Sequence, residues 1–288
     1  MQLLFPTNPL APTKVDPDFA EQAVAASAAG WTWSLVSFEA LVQERAPGRA
    51  VRRVPEGAGP CLYRGWMLKP AAYAELAAAL AQRGAPLLVT PDEYAYAHHL
   101  PGWYEDFTEV TPLSVCTASA DLGEAREALA RLPAGAALVK DYVKSAKHLW
   151  TQACFIPEVR DVEPAMAVIG AFIAEQGDDL NGGLVLRAFR EYPAHGVDTR
   201  TGMPHIEERR LFLWRGAPLA IVGDEHTLLQ APALRAALAR LRSPFVSLDL
   251  ARLADGNWEV IEVGDGQVSG LREMDPERFY SELRAAVV

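Results

Sequence analysis

Over the first 110 residues, short apolar runs alternate with alanine-rich stretches of helical period, the pattern of strands laid against helices. Leu3 to Phe5, Trp33 to Phe38, Leu62 to Trp66 and Leu87 to Thr90 read as strands, and Asp18 to Ala29 and Pro70 to Arg83 as helices. A further helix over Asp92 to His99 follows Pro91 and is predicted to stop at Pro101-Gly102. Together these predict a small N-terminal α/β domain, residues 1–110.

From Leu113 the pattern changes. A strand at Leu113 to Thr117, a helix over Asp121 to Leu132 and a strand at Ala136 to Asp141 make one small lobe, followed by a helix from Glu163 to Gln176. Longer strands come next, at Gly183 to Glu191, His205 to Trp214 and Leu219 to Val222, then a helix over Ala231 to Leu241. Strand-rich sequence with few helices predicts α+β architecture for residues 111–288.

The last third holds a predicted hairpin. Phe245 to Leu250 and Asn257 to Val263 read as strands, and Asp255-Gly256 between them favours a two-residue type I′ turn. Counting outward from that turn sets Asp249 opposite Glu262. Carboxylates roughly 5 Å apart at Cβ repel unless a cation lies between them, and hard oxygen donors suit Mg²⁺, which keeps waters and takes phosphate oxygens. Two solvated acids on a surface hairpin are the plain alternative. The second strand runs into a loop containing Gly264, Gly266 and Gly270, which admits close backbone approach to a ligand, and Asp265 adds a third carboxylate. This loop matches neither the phosphate-loop pattern nor the dinucleotide fingerprint.

Composition narrows the class. The chain has 288 residues, half of them hydrophobic, and a net charge of −10, which argues against nonspecific binding to nucleic acid or anionic membrane. Cys61, Cys116 and Cys154 are odd in number and far apart, supporting neither a disulfide framework nor a zinc site, so a reduced cytoplasm is expected. No apolar run approaches the roughly 20 residues that span a bilayer. His98-His99 flank a helix end, and His195, His205 and His226 stand without a second ligand at metal spacing. No nucleophile elbow is visible.

Several cations fall where strands should be apolar. Lys140 ends Ala136 to Asp141 on the face of Leu138, and Lys144, Lys147 and His148 follow in a basic loop suited to phosphates. Arg187 shares a face with Val185 and Phe189, and Arg210 with Glu208, Phe212 and Trp214. A guanidinium so placed is an anion clamp or half of an internal ion pair, with Glu208 the obvious partner for Arg210. Arg64, in Tyr63-Arg-Gly-Trp66, has no role that physics alone assigns.

In order and spacing, Lys140, the basic loop, Arg187, Glu208-x-Arg210-x-Phe212, Asp249 and Glu262 resemble the ATP-grasp superfamily. The strings Val139 to Ser145, Gly183 to Arg187 and Val260 to Gln267, with Tyr63 to Trp66, are similar to the clade named for two arginines and a lysine. The resemblance covers roughly residues 60 to 285. It implies an ATP-grasp fold in which two lobes clamp a nucleotide beside the N-terminal domain. It further implies ATP and Mg²⁺ as cofactors, with Lys140, and less strongly Lys144, at the nucleotide. Arg187 and Arg210 would face the phosphates, while Asp249 and Glu262, assisted by Asp265, would hold the metal. The adenine hinge would fall at Phe189 to Glu191, with Glu191 standing in as ribose ligand and Arg64 gripping the substrate carboxylate. Where the superfamily most often carries asparagine two residues after the metal glutamate, this chain has Gly264.

The implied chemistry activates a carboxylate to an acylphosphate, which an amine or thiol attacks with release of ADP and phosphate, and a carboxylate-amine ligase is the leading expectation. The carboxylate would belong to a small molecule, peptide or protein terminus; neither membrane nor nucleic acid is expected as a partner, and a homodimer stays open. A small-molecule kinase using the same pocket, and a nucleotide-binding module without turnover, are the competing readings.

Overall fold

Three hydrophobic cores organise the chain. The computed structural model describes residues 1–197, 204–219 and 229–287. Part of the strand expected at Leu219 to Val222, and His226, lie outside the described residues.

The first core is built on β1 (Gln2–Asn8), whose Leu3, Leu4 and Phe5 are fully buried, as a strand covered on both faces requires. Its far end turns back antiparallel into β2 (Ala11–Val15). After α1 (Ala20–Ala28), β3 (Thr32–Val36) pairs with β1 in parallel. The short helices α2 (Phe38–Val42) and α3 (Pro47–Ala50) lead to β4 (Cys61–Tyr63), which pairs in parallel on the other side of β1. The strand expected at Leu87 to Thr90 reduces to one bridge from Leu87 to Cys61.

Helix α4 (Pro70–Gln82) opens on proline, and α5 (Pro91–His98) on a Thr90/Glu93 capping box. Pro101-Gly102 does not end the helical segment as expected. His99 breaks it with an extended backbone, and Pro101 stands in the first turn of a new helix, α6 (Leu100–Phe107), where a missing N–H costs nothing. A Cβ on Gly102 would strike the Tyr96 carbonyl, so glycine permits the tight turn between the two helices.

The second core lies under an antiparallel sheet. Its strands are β5 (Ser114–Cys116), β6 (Ala137–Asp141), β7 (Phe155–Ile156) and β8 (Leu184–Ala188), in the order β5-β8-β6-β7. The helices α7 (Leu122–Arg131), α8 (Trp150–Ala153) and α9 (Val162–Gln176) interleave with them in sequence. Leu129, Ile169 and Phe172 pack with Val139 and Leu186 of the sheet.

The long strand expected at His205 to Trp214 is split at Glu207. Its first part, β10 (Pro204–Ile206), pairs with β9 (Ala194–Val197), and its second part is β11 (Glu208–Trp214). The latter joins β12 (Ala217–Leu219), β13 (Phe245–Arg252) and β14 (Trp258–Asp265) in an antiparallel sheet ordered β12-β11-β13-β14. Helix α10 (Pro232–Leu238) precedes the hairpin, and α11 (Pro276–Val287) follows it.

One face of this sheet, with Leu211, Leu248 and Val263, packs on Trp103 and Phe107 of α6 as the third core. The other face, with Phe212 and Phe245, merges with the first core alongside Phe279 and Leu283 of α11. Trp31 Nε1 donates to the Tyr280 carbonyl at 2.9 Å, tying the two ends of the chain together. No helix among the described residues is long and apolar enough to cross a membrane.

Candidate functional site

The hairpin of β13 and β14 delivers the expected pair by a different route. Leu253 and Asn257 close a three-residue loop in place of the two-residue type I′ turn, with Gly256 in the left-handed conformation at φ +85°. That extra loop residue shifts the ladder by one. A bulge at Ile261 shifts it back, so Asp249 and Glu262 are register partners.

On its other side Asp249 is in register with Arg210 of β11. Arg210 donates from Nε to Oδ1 and from Nη2 to Oδ2, both at 2.7 Å, in a two-pronged pair. Burial opposes the Arg210 charge, but the hydrogen bonds and charge of Asp249 more than offset it and raise its pKa above the ordinary value. Glu208 does not pair with Arg210. It accepts from Arg272 Nη1 at 3.0 Å, while Arg272 Nη2 reaches Asp249 Oδ2 at 3.2 Å.

Lys140 comes from the other sheet. Its Nζ lies 3.7 Å from Glu262 Oε1, and burial lowers its pKa, a shift that Glu262 resists. A row of charge therefore runs from Lys140 through the paired carboxylates Glu262 and Asp249 to Arg210 and Arg272, bridging β6 to the hairpin sheet.

Arg187 stands on the same face of its sheet as Lys140, since Leu138 is its cross-strand partner. It is buried, and its Nη2 donates to Thr111 Oγ1 at 2.8 Å and more distantly to the Val260 carbonyl. No carboxylate pairs with it among the described residues, and burial lowers its pKa. Its remaining N–H groups are available to an anion.

Phe189 completes an aromatic group with two residues that sequence reasoning missed. Trp150 and Phe155 stack at 5.2 Å, and Phe189 meets Phe155 edge-on at 5.1 Å. Nothing in the spacing of residues 150 and 155 marks them as neighbours of 189; the pairing of β6 with β7 on one side and β8 on the other brings them together. Glu191 is exposed, whereas Glu259 takes the hydrogen bonds of Arg190 and Tyr192 beside it. Lys144 is also exposed, on a loop pinned by Asp141, which accepts from the backbone N–H groups of Val143, Lys144 and Asn181.

Two predicted site residues are placed elsewhere. Asp265 lies three residues beyond Glu262, and an odd spacing on a strand reverses the face. It is fully buried, Oδ1 accepts from the backbone and side chain of Gln267 at 2.9 and 3.1 Å, and Oδ2 has no partner among the described residues. Desolvation raises its pKa to about 7. It cannot assist a metal held by Glu262.

Arg64 is likewise sealed, with 1% of its surface exposed. It donates to the carbonyls of Gly266 and Ser269, to Gln22 Oε1 and to Tyr280 Oη, and its guanidinium lies 5.3 Å from the Phe279 ring centroid. It anchors the glycine-rich loop rather than gripping a substrate. That loop is itself filled, with the Ser247 and Ser269 hydroxyls in contact across Gly264 at 2.7 Å.

Among the described residues no three His, Cys, Asp or Glu side chains converge as a metal site. The two opposed carboxylates still fit Mg²⁺, which needs only one or two and keeps water or phosphate oxygens for the rest. Asp249 has about four lone-pair positions, of which the arginines use three. Among the described residues Glu262 forms an ion pair only with Lys140, and it would be the principal ligand.

The fold is similar to that of solved ATP-grasp enzymes. D-cycloserine synthetase DcsG superposes with a TM-score of 0.60 at 17% identity, covering 99% of each chain. A RimK-domain ATP-grasp protein of Sphaerobacter thermophilus gives 0.57 at 15% identity, over 97% of this chain and 98% of that one. The ATP-grasp ligase PsnB, solved with its minimal precursor, Mg and ADP, gives 0.55 at 12% identity over 99% and 97%. At these identities the likeness establishes the fold. Among curated proteins no sequence matches. The profile of the ATP-grasp domain of family 3 in the clade named for two arginines and a lysine matches residues 126–283, and the chain belongs to that family.

Proposed function

From its place among ATP-grasp proteins, we propose that the chain is an ATP-dependent carboxylate-amine ligase. The observation that carries this reading is the charged row, in which Asp249 stands in register with Arg210 on one side and Glu262 on the other, and Lys140 reaches Glu262 from the second sheet. Such a row can place cations around phosphate oxygens and carboxylates around a divalent metal, while no nucleophile or general base of the protein is needed.

In the proposed reaction a substrate carboxylate oxygen attacks the γ-phosphorus of ATP, the bond to the β-phosphate oxygen breaks, and ADP leaves. An amine then attacks the acyl carbon, loses a proton and expels phosphate. Asp249 and Glu262 would hold Mg²⁺, which would supply charge neutralisation at the phosphates. Lys140 and Arg187 position phosphate oxygens, and Arg210 answers charge that develops during transfer. Phe189, Trp150 and Phe155 offer an apolar wall to the adenine. The carboxylate belongs to a small molecule, a peptide or a protein terminus, and the three free cysteines suit a reducing cytoplasm.

Hydroxylamine tests the reading directly. With ATP, Mg²⁺ and a panel of amino acids and short peptides, the protein should release ADP and phosphate and form a hydroxamate with the correct acid. Release of AMP, or a phosphorylated hydroxyl compound without hydroxamate, would replace the ligase with an adenylating enzyme or a kinase.

A further inference from the structure

Arg272 has no part in the proposed ligase reaction. Its backbone is left-handed, at φ +53°, a conformation strained for any residue with a side chain. Such strain persists where the surroundings hold it, and it gathers at sites of use. Here the surroundings are the charged row: Gly270, two residues earlier, gives its carbonyl to Arg210 Nη1 at 3.1 Å, so both arginines stand over Asp249.

The two arginines are not equivalent. Arg210 is mostly buried and two-pronged, whereas the Arg272 side chain is 43% exposed and gives Asp249 a single hydrogen bond at 3.2 Å. An exposed single contact contributes little in water. Arg272 is therefore the partner that yields when another cation approaches Asp249. Once released, its guanidinium stays tethered beside the same carboxylate, within reach of an anion drawn to that cation.

We propose that Arg272 is a substrate-binding residue parked on Asp249 and Glu208, which a divalent cation at Asp249 and Glu262 releases to grip an oxyanion of the substrate. Phosphate and carboxylate groups share the chemistry that a guanidinium recognises. The proposal rests on the ligase reading, and the two fail differently.

The test uses Mn²⁺ as a paramagnetic stand-in for Mg²⁺, titrated by electron paramagnetic resonance in the presence of ADP. Arg272→Gly suits the left-handed backbone and removes the charge; Arg272→Lys keeps the charge. Loss of a competing cation should tighten Mn²⁺ binding in Arg272→Gly by about three- to tenfold, with Arg272→Lys within about twofold of the parent protein. Calorimetry on the Mn-ADP-loaded protein, with inorganic phosphate in one arm and acetate in another, should show about tenfold weaker binding of at least one anion in Arg272→Gly. Weakening confined to phosphate assigns the grip to the transferred group, and weakening confined to acetate assigns it to the acid. Unchanged or weaker Mn²⁺ binding in Arg272→Gly, or unaltered affinity for both anions, overturns the proposal while leaving the ligase reading intact. If the parent protein binds neither Mn²⁺ nor ADP, both fall.

Discussion

Arg210 and Asp249 face each other in register on adjacent strands and meet through two parallel hydrogen bonds of 2.7 Å. Asp249 is 2% exposed, so removing it leaves a largely buried guanidinium without its counter-charge. Asp249→Ala should lower the unfolding free energy by about 3 kcal/mol, read by urea titration. Glu262→Gln should cost less than about 1 kcal/mol, because Glu262 is half-exposed, yet abolish metal-dependent ADP release. A Glu262→Gln protein that unfolds would assign this residue to the scaffold.

Asp265 predicts a pH dependence. Its pKa in the folded protein is raised from 3.8 to about 7 by burial, so the folded state holds a proton that the unfolded state has already lost. Stability contributed by the protonated form is complete below about pH 4, falls as pH rises toward about 7, and is then gone. Asp265→Asn should flatten this slope and be more stable at pH 8 by on the order of 3 kcal/mol. Thermal melts at pH 5 and pH 8 decide; parallel slopes in both proteins would show Asp265 ionised in the fold.

Arg64 should behave as an anchor. Arg64→Ala empties a buried site that donates to four partners, and a loss of about 3 kcal/mol is expected. Arg64→Lys should not restore it, since an ammonium cannot reproduce the planar fork. Equilibrium urea unfolding checks this. Full stability of Arg64→Lys, with a raised KM for the carboxylate, would return Arg64 to substrate binding.

For Lys140→Met the expected signs are opposite in the empty and loaded protein. Removing a desolvated cation whose one carboxylate lies 3.7 Å away should leave the empty protein as stable as before or slightly more so. The dissociation constant for Mg-ATP should rise about tenfold, as loss of one phosphate contact implies. Fluorescence titration measures the second effect, and unaltered nucleotide affinity would remove Lys140 from the phosphate site.

How much of this was legible varies residue by residue. The opposition of Asp249 and Glu262 follows from the strand period, although the loop carries one more residue than the Asp-Gly signal implies and the bulge at Ile261 cancels it. Lys140 and Arg187 declare themselves as cations in apolar strands. Arg64 does not, because Tyr63-Arg-Gly-Trp66 carries no sign that Gln22, Tyr280 and the glycine-rich loop will close over it. Arg272 is silent for a related reason: positive φ at a non-glycine residue leaves no mark in the sequence. Asp265 was misplaced by proximity to Glu262, where parity along the strand sends it to the other face.

The bond from Trp31 to the Tyr280 carbonyl spans 249 residues and has a consequence during synthesis. A ribosome adding about 5–20 residues per second needs roughly 10 to 50 seconds to travel that far. Until then the layer of β1, β3 and β4 waits without Phe279, Tyr280 and Leu283, which complete its core. The nascent chain thus carries an unfinished apolar surface for most of its emergence, and a chain cut before α11 should need chaperone protection and aggregate without it.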